Sequence, residues 1–165
     1  MRLYFSGVAG KSEADMLKTA GVTHVIVDPT DMLNAAFGGF RNIALDSGAY
    51  RIFKKGGELD IHDYLDTVHS YGWDFCMAPD VIGDPEATKK NWQFVRLHNQ
   101  IIPVWQWGAS EEDLKFYLDE RELVAIGGLV PLMRAKDEDM LAHLTALCER
   151  YPRRFHLLGV NWLKA

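Results

Sequence analysis

The feature that most constrains the fold is a repeating alternation of two kinds of segment. Short runs of apolar, β-prone residues recur along the chain, and most are separated by an amphipathic stretch with a helix start signal. Because strands that alternate with helices pair in parallel through right-handed crossovers, the alternation predicts a parallel α/β fold. The runs are continuously apolar, which indicates a sheet that is buried on both faces.

The alternation predicts seven strands and six helix starts. The strands are expected at Arg2–Ser6, His24–Asp28, Asn42–Asp46, Phe75–Asp80, Ile101–Trp107, Leu123–Gly128 and Arg154–Val160. The helix starts are expected at Ser12, Asp31, Ile61, Asp84, Ser110 and Asp137. Since no linker, low-complexity segment or charge run divides the sequence, a single domain over residues 1–165 is expected.

Composition and charge narrow the class of protein. With 48% hydrophobic and 25% charged residues, the chain can bury a sizeable core. Its formal charge of −5 argues against a broadly basic surface, so contact with a nucleic acid would depend on local basic patches. The two cysteines, Cys76 and Cys148, have no metal or redox spacing, and both are expected to be reduced and buried. No signal peptide or run of transmembrane length is recognisable, so a cytoplasmic protein without membrane contact is expected.

Polar or glycine-rich groups follow six of the apolar runs. They are VDPT at 27–30, LDSGAY at 45–50, APDVIGD at 78–84, VWQWG at 104–108, AIGGLVP at 125–131 and LLGVNW at 157–162. Because the carboxyl ends of parallel strands open on one face, these groups are expected to converge where ligands bind. Turn formation and helix capping explain any one group equally well, but they explain all of them together less well.

Five of these segments resemble, in order and spacing, segments of the tRNA-guanine transglycosylase family. LDSGAYRIF is similar to its DSGG(F/Y)Q segment, APDVIGDP to the segment of its recognition aspartate, VWQWG to its glutamine-bearing strand, AIGGLVP to its GGL segment and RFHLLGV to its (Y/H)LMGVG segment. The stretch DVIGDPEAT is closer to relatives that insert 7-deazaguanine bases into DNA. The resemblance covers about Asn42 to Val160 and implies a (β/α)8 barrel of the TIM type. The implied activity replaces a guanine in DNA or tRNA by a 7-deazapurine.

The resemblance gives LDSGAY a catalytic role. Asp46 would handle a proton and position the substrate beside the leaving base, with Ser47 alongside and Gly48 keeping the approach open. A carboxylate at the rim of an apolar mouth can have its pKa raised, as general acid or base catalysis requires. The simpler alternative is that Asp46 only caps the next element.

Recognition of the base is assigned in the same way. A guanine-like base offers N1–H and an exocyclic amine as donors and a carbonyl as an acceptor. Asp80 would accept from the donors, while Gln106 and the backbone N–H of Gly128 would meet the carbonyl. Tyr50 would stack on the ring. The other residues of the matching segments expected at the base pocket are Gly127, Leu129, Leu158 and Gly159.

Several other polar or aromatic residues have simpler structural explanations. Asp84, before Pro85, is typical of an N-cap, and Trp105 and Trp107 are expected to pack under helices. His156, inside an apolar run, is expected to be a hydrogen-bonded core histidine. Arg51 stands where the family has a glutamine, so that contact of the family is not expected here.

The chain also departs from the family after its seventh predicted strand. The nucleophilic aspartate of the family lies on an eighth strand, and no residue up to Ala165 corresponds to it. The zinc site of the tRNA enzymes has no counterpart either, so no metal and no cofactor are expected. Seven strands would leave unpaired edges, which predicts self-association or a partner chain that completes the barrel. The alternative to an enzyme is a module that binds guanine, a 7-deazapurine or nucleic acid without performing the chemistry.

Overall fold

The computed structural model of the chain describes residues 2–6, 8, 10–30, 38–130, 138–152 and 154–159. These residues form an α/β fold. Its helices are α1 (Lys11–Thr19), α2 (Ala49–Lys55), α3 (Ile61–His69), α4 (Pro85–Val95), α5 (Glu111–Glu120) and α6 (Glu138–Arg150). Its strands are β1 (His24–Val27), β2 (Asn42–Leu45), β3 (Cys76–Met77), β4 (Ile101–Ile102), β5 (Val104–Gln106), β6 (Val124–Gly127) and β7 (Phe155–Leu157). No helix within these ranges has the length and apolar character needed to cross a lipid bilayer.

The strands form two sheets in which every described pair of strands is parallel, as the alternation predicts. The first sheet has the order β1-β2-β3-β4 and the second the order β5-β6-β7, so each strand within a sheet pairs with its neighbour in sequence. Pro103 separates β4 from β5 because proline has no N–H to donate to a ladder. Its carbonyl still accepts the N–H of Ala125 at 2.8 Å, so the pairing with β6 begins at the break.

The prediction of one strand over Ile101–Trp107 is wrong, because this segment forms both β4 and β5. Three other predicted strands are clearly shorter or weaker in the structure. The segment Arg2–Ser6 makes one isolated parallel bridge, between Phe5 and Val25, and Phe5 itself is 44% exposed. The strand predicted over residues 75–80 is confined to Cys76 and Met77, because Pro79 has no N–H to continue the ladder. The last predicted strand is confined to β7, and Val160 lies outside the described residues.

Helix starts agree with the sequence where a side chain caps the helix. Asp84 and Ser110 each accept a hydrogen bond from the backbone N–H three residues on, at 2.9 and 3.1 Å. Asp60 caps α3, which begins at Ile61 as expected. The start predicted at Ser12 is wrong, because α1 already begins at the preceding residue, after Gly10, and has no side-chain cap. The starts predicted at Asp31 and Asp137 lie outside the described residues.

Helix α2 has no predicted counterpart. Its N-cap is Gly48, with φ 77°, and its C-cap is Gly56, with φ 70°. A positive φ favours glycine because it has no Cβ, so both ends depend on glycines instead of a polar side-chain cap. The sequence therefore lacks the usual start signal for this helix, which begins at Ala49, directly after the polar group that ends β2.

The hydrophobic core has two layers, one on each face of the strands. The larger layer lies between the strands and the helices and includes Trp92, Trp105 and Leu114. The smaller layer lies on the opposite face and consists of Ile26, Ala44, Phe75, Met77, Ile102, Val104 and Ala125. Because the smaller layer takes residues from both sheets, the two sheets share one core.

The two cysteines differ in burial. Cys76 in β3 is fully buried, as expected. The prediction that Cys148 is buried is wrong, because Cys148 is exposed. Helix α6 buries Met140, Leu144 and Leu147, whose spacing defines one helix face, and Cys148 lies beside that face.

Candidate functional site

A cavity of about 1950 Å³ runs along the face of the strands that carries the smaller core layer, from their amino ends near Gln100 and Leu123 to their carboxyl ends. Its lining includes most of the residues that the sequence singled out: Asp46, Ser47, Tyr50, Asp80, Gln106, Gly127, Gly128, Leu158 and Gly159. Asp46 directly follows β2, and Gln106 and Gly127 end β5 and β6. The parallel strand direction therefore brings side chains from distant parts of the sequence to one mouth.

Asp80 is the centre of a hydrogen-bonded cluster at this mouth. Ser47 Oγ donates to Asp80 Oδ1 at 2.8 Å, and Gln106 Nε2 donates to Asp80 Oδ2 at 2.5 Å. Ser47 Oγ also lies 3.5 Å from Asp46 Oδ1, which accepts the backbone N–H of Gly48 at 3.4 Å. Both oxygens of Asp80 are thus engaged by neutral donors.

Ser47 and Gln106 are polar side chains in a nearly closed environment. They are 2% and 3% exposed, and burial of a polar group costs free energy unless it is hydrogen-bonded. Asp80 satisfies one donor of each. The Asp80 carboxylate therefore fixes the orientation of both side chains.

Glycines at the end of β6 make room for the amide of Gln106. A Cβ on Gly127 would lie 3.0 Å from Gln106 Nε2 and 3.1 Å from a methyl carbon of Val104. Gly128 has φ 76°, and a Cβ there would lie 3.1 Å from Gln106 Oε1. A side chain at either position would thus press against the group that holds Asp80.

Burial changes the acidity of both aspartates. Desolvation raises the pKa of Asp80 to about 6, and the charge of Asp46 also acts to raise it, while the hydrogen bonds from Ser47 and Gln106 oppose the shift. Desolvation also raises the pKa of Asp46, opposed by the backbone N–H of Gly48 and assisted by the charge of Asp28. Both carboxyl groups therefore hold a proton at higher pH than an ordinary aspartate does.

Asp28 and Arg51 form an ion pair, and the charge of Asp28 acts on Asp46. Asp28 follows β1, and its Oδ1 accepts from the backbone N–H and the hydroxyl of Thr30 at 2.9 and 2.6 Å. Its Oδ2 lies 3.2 Å from Nε of Arg51, on α2. Arg51, which stands where the family has a glutamine, thus pairs with Asp28.

The remaining predicted residues differ in position. Tyr50, on α2, is 41% exposed at the cavity rim, and Nζ of Lys54 lies 4.8 Å from its ring centroid. Gly48 precedes that helix, and a Cβ there would lie 3.5 Å from Pro29. Leu129 is fully buried in the layer between strands and helices, and it does not line the cavity.

Sequence analysis missed an aromatic cluster at the opposite end of the cavity. The rings of Tyr4, Phe75 and His156 pack edge to face, with centroids 5.3 to 5.7 Å apart, and the Tyr4 hydroxyl donates to Asp74. Nε2 of His156 is buried and has no partner among the described residues, so the expectation of a fully hydrogen-bonded histidine is wrong at this nitrogen. Burial lowers the pKa of His156 to about 4. The sequence signal for this cluster is that Tyr4, Phe75 and His156 each lie within an apolar run that predicts a strand.

No group of three or more His, Cys, Asp or Glu residues in the described ranges is arranged to hold a metal ion. Comparisons of the chain with models of protein families, with curated proteins and with solved structures found no match. The function is therefore inferred from the residues of the chain and from the resemblance of its segments.

Proposed function

We propose that the chain binds a guanine-type base at Asp80 and replaces guanine in DNA or tRNA by a 7-deazapurine. The observation that carries this proposal is the cluster of Asp80, Ser47 and Gln106 beside Asp46. The four residues come from three strand ends that are far apart in sequence and share one cavity. They belong to segments that resemble the transglycosylase family in their order along the chain.

We infer that the two sheets are parts of one barrel of the (β/α) type. Their strands run in sequence order, and only Pro103 separates β4 from β5. The inner core layer contains residues of both sheets, as the interior of a barrel would. The bridge between Phe5 and Val25 would extend the first sheet by one further strand.

The carboxylate of Asp80 suits the donor edge of a guanine-type base. Each of its oxygens accepts one hydrogen bond within the protein and has capacity for another. Gln106 Nε2 has a second N–H that can donate to the carbonyl of the base. Tyr50 at the rim offers an aromatic surface, and stacking of a base on such a ring contributes about 1–3 kcal/mol.

Asp46 suits the role of an acid towards the leaving base. When the N-glycosidic bond breaks, its electron pair goes to the base, and a proton from Asp46 can neutralise a base nitrogen. Burial raises the pKa of Asp46, which keeps a proton available nearer to neutral pH. Asp46 would then accept a proton from the incoming deazapurine.

A second candidate is a base-binding module that needs another chain for catalysis. The carboxylates in the described lining at the carboxyl-end mouth are Asp46 and Asp80, and both are assigned to the base. Base exchange through a covalent intermediate needs a further nucleophile under the sugar. This observation favours binding without exchange by the isolated chain.

Calorimetry with guanine and 7-cyano-7-deazaguanine tests the proposed base site. Asp80→Asn replaces an acceptor oxygen by an amide donor, so affinity is expected to fall roughly 10- to 100-fold, equivalent to about 1–3 kcal/mol. Asp84→Asn, which changes a capping aspartate nearby, is the matched control and should bind as the wild type does. Equal affinity of the wild type and Asp80→Asn would exclude Asp80 from recognition.

Exchange of labelled guanine into DNA and tRNA separates the two candidates. Incorporation by the purified chain supports the enzyme, and binding without incorporation supports the module. Failure of every base to bind would contradict both.

A further inference from the structure

The two aspartates of the candidate site lie together, half-buried, in the wall of the cavity. Within the described part of the chain, neither Asp46 nor Asp80 forms a salt bridge with a lysine or an arginine. Two neighbouring carboxylates in such a site cannot both ionise without a large electrostatic cost. The site therefore favours a state with one proton on the pair.

Ser47 connects the two carboxylates. Its Oγ is 2.8 Å from Asp80 Oδ1 and 3.5 Å from Asp46 Oδ1. When Asp80 is ionised, the Ser47 hydroxyl donates to Asp80 Oδ1. When Oδ1 carries the proton, this O–H donates to Ser47 Oγ, and the hydroxyl turns to donate to Asp46 Oδ1. In that second arrangement Ser47 can pass a proton from Asp80 to Asp46. Because Ser47 is 2% exposed, bulk water does not replace it in this position.

The described titratable groups that act on the pair supply no unpaired positive charge. Asp28, after β1, adds negative charge near Asp46 and is itself paired with Arg51 of α2. Tyr64 of α3 donates to the carbonyl of Met77, and burial raises its pKa well above the ordinary value. Burial likewise raises the pKa of Cys76 in β3 to about 12. The tyrosine and the cysteine therefore remain neutral in the range where the aspartates titrate.

We propose that Asp46 and Asp80 share one proton and that Ser47 passes it to Asp46 when a base binds. This inference rests on the proposed function. The N–H donors of the base require an ionised Asp80, so the O–H bond at Asp80 Oδ1 breaks and its proton moves to Ser47 Oγ. The original hydroxyl proton of Ser47 moves to Asp46 Oδ1. No proton enters or leaves the protein, and recognition of the base thereby supplies the acid that its departure requires.

Titration of the free protein tests the shared proton without any ligand. The carboxyl carbons of Asp46 and Asp80, followed by NMR, should titrate in two coupled steps. In Asp80→Asn, Asp46 should titrate in a single step at lower pH, because the neighbouring charge is removed. Independent titration of the two groups in the wild type would overturn the proposal, whether or not a base binds.

Calorimetry in buffers of different ionisation enthalpy tests the relay. At about pH 5, below the pKa of about 6 of Asp80, the pair carries its one proton, so guanine binding to the wild type should show no net proton exchange, whereas Ser47→Ala should release a proton to the buffer. Ser47→Thr keeps a hydroxyl, so it should show no net proton exchange, as the wild type does. Circular dichroism checks that both variants are folded. Proton release by the wild type on guanine binding would overturn the relay. The relay would also be overturned if a folded Ser47→Ala bound the base without releasing a proton. If the coupled titration is present but no base binds, the proposed function fails while the shared proton stands.

Discussion

At the scale of single residues, Asp80 couples the candidate site to stability. Its pKa of about 6 in the folded protein lies above the ordinary value of an aspartate, so the folded state binds a proton more tightly than the unfolded state. The contribution of Asp80 to stability is therefore expected to be greatest below about pH 4 and to be lost as pH rises through about pH 6. This is the opposite of the usual contribution of a salt-bridged carboxylate.

Asp80→Asn should remove this pH dependence. Above about pH 7, the variant is expected to exceed the wild type in unfolding free energy by roughly 1–3 kcal/mol, and the difference should vanish near pH 4. Urea denaturation across this pH range measures it, with Asp84→Asn as the control. Parallel pH profiles for the wild type and Asp80→Asn would contradict the assigned cause.

The convergence of polar side chains from separate strand ends could be predicted from the sequence. Asp46, Asp80 and Gln106 were singled out because they end apolar runs, and the structure brings them to one cavity. The unpartnered Nε2 of His156 could not be predicted, because it depends on rings from remote parts of the chain. Leu129 matched a motif, yet its side chain lies on the helix side of the strands.

At the scale of elements, helix caps distinguish a correct start signal from a wrong one. Ser110→Ala removes the side-chain acceptor at the start of α5 and should lower the unfolding free energy by about 1 kcal/mol. Ser12→Ala changes a residue inside α1 that does not cap it, so it should be neutral or slightly stabilising. Urea denaturation of both variants measures the difference. Equal losses would show that Ser12 has a capping role after all.

Element type was more predictable than element length. Apolar runs predicted the strands, but proline shortened them where a ladder N–H was missing, as at Pro103. Helix α2 was missed because its ends rely on backbone conformation at Gly48 and Gly56, which leaves no capping signature in the sequence.

At the scale of the whole molecule, one aromatic residue links distant segments. Phe75 is 8% exposed and contacts the rings of both Tyr4 and His156. Phe75→Ala should lower the unfolding free energy by about 3–5 kcal/mol, because it removes the buried ring from the smaller core layer and with it the contacts to Tyr4 and His156. Phe94→Ala, at a side chain that is 53% exposed, should change it by less than about 0.5 kcal/mol. Thermal and urea denaturation measure both, and similar small losses would show that the aromatic cluster adds little.

The parallel class of the fold followed from the alternation of strands and helices, whereas the sharing of one core by two sheets did not. Whether the two sheets share a core depends on which residues of each strand lie in the smaller core layer, such as Ile26 and Ala125. Because the strands are continuously apolar, the sequence has no alternation that would mark one face. Long-range packing thus decides what the local pattern leaves open.

The sequential order of the strands has a consequence for how the chain acquires its structure. Each of β2 to β4, and then β6 and β7, can add to an edge formed by the strand before it, so the sheets can grow in the direction of synthesis. The contact between Tyr4 and His156 joins residues that are far apart along the chain, and its loop-closure entropy is correspondingly large. It is therefore expected to form last, after β7 has left the ribosome.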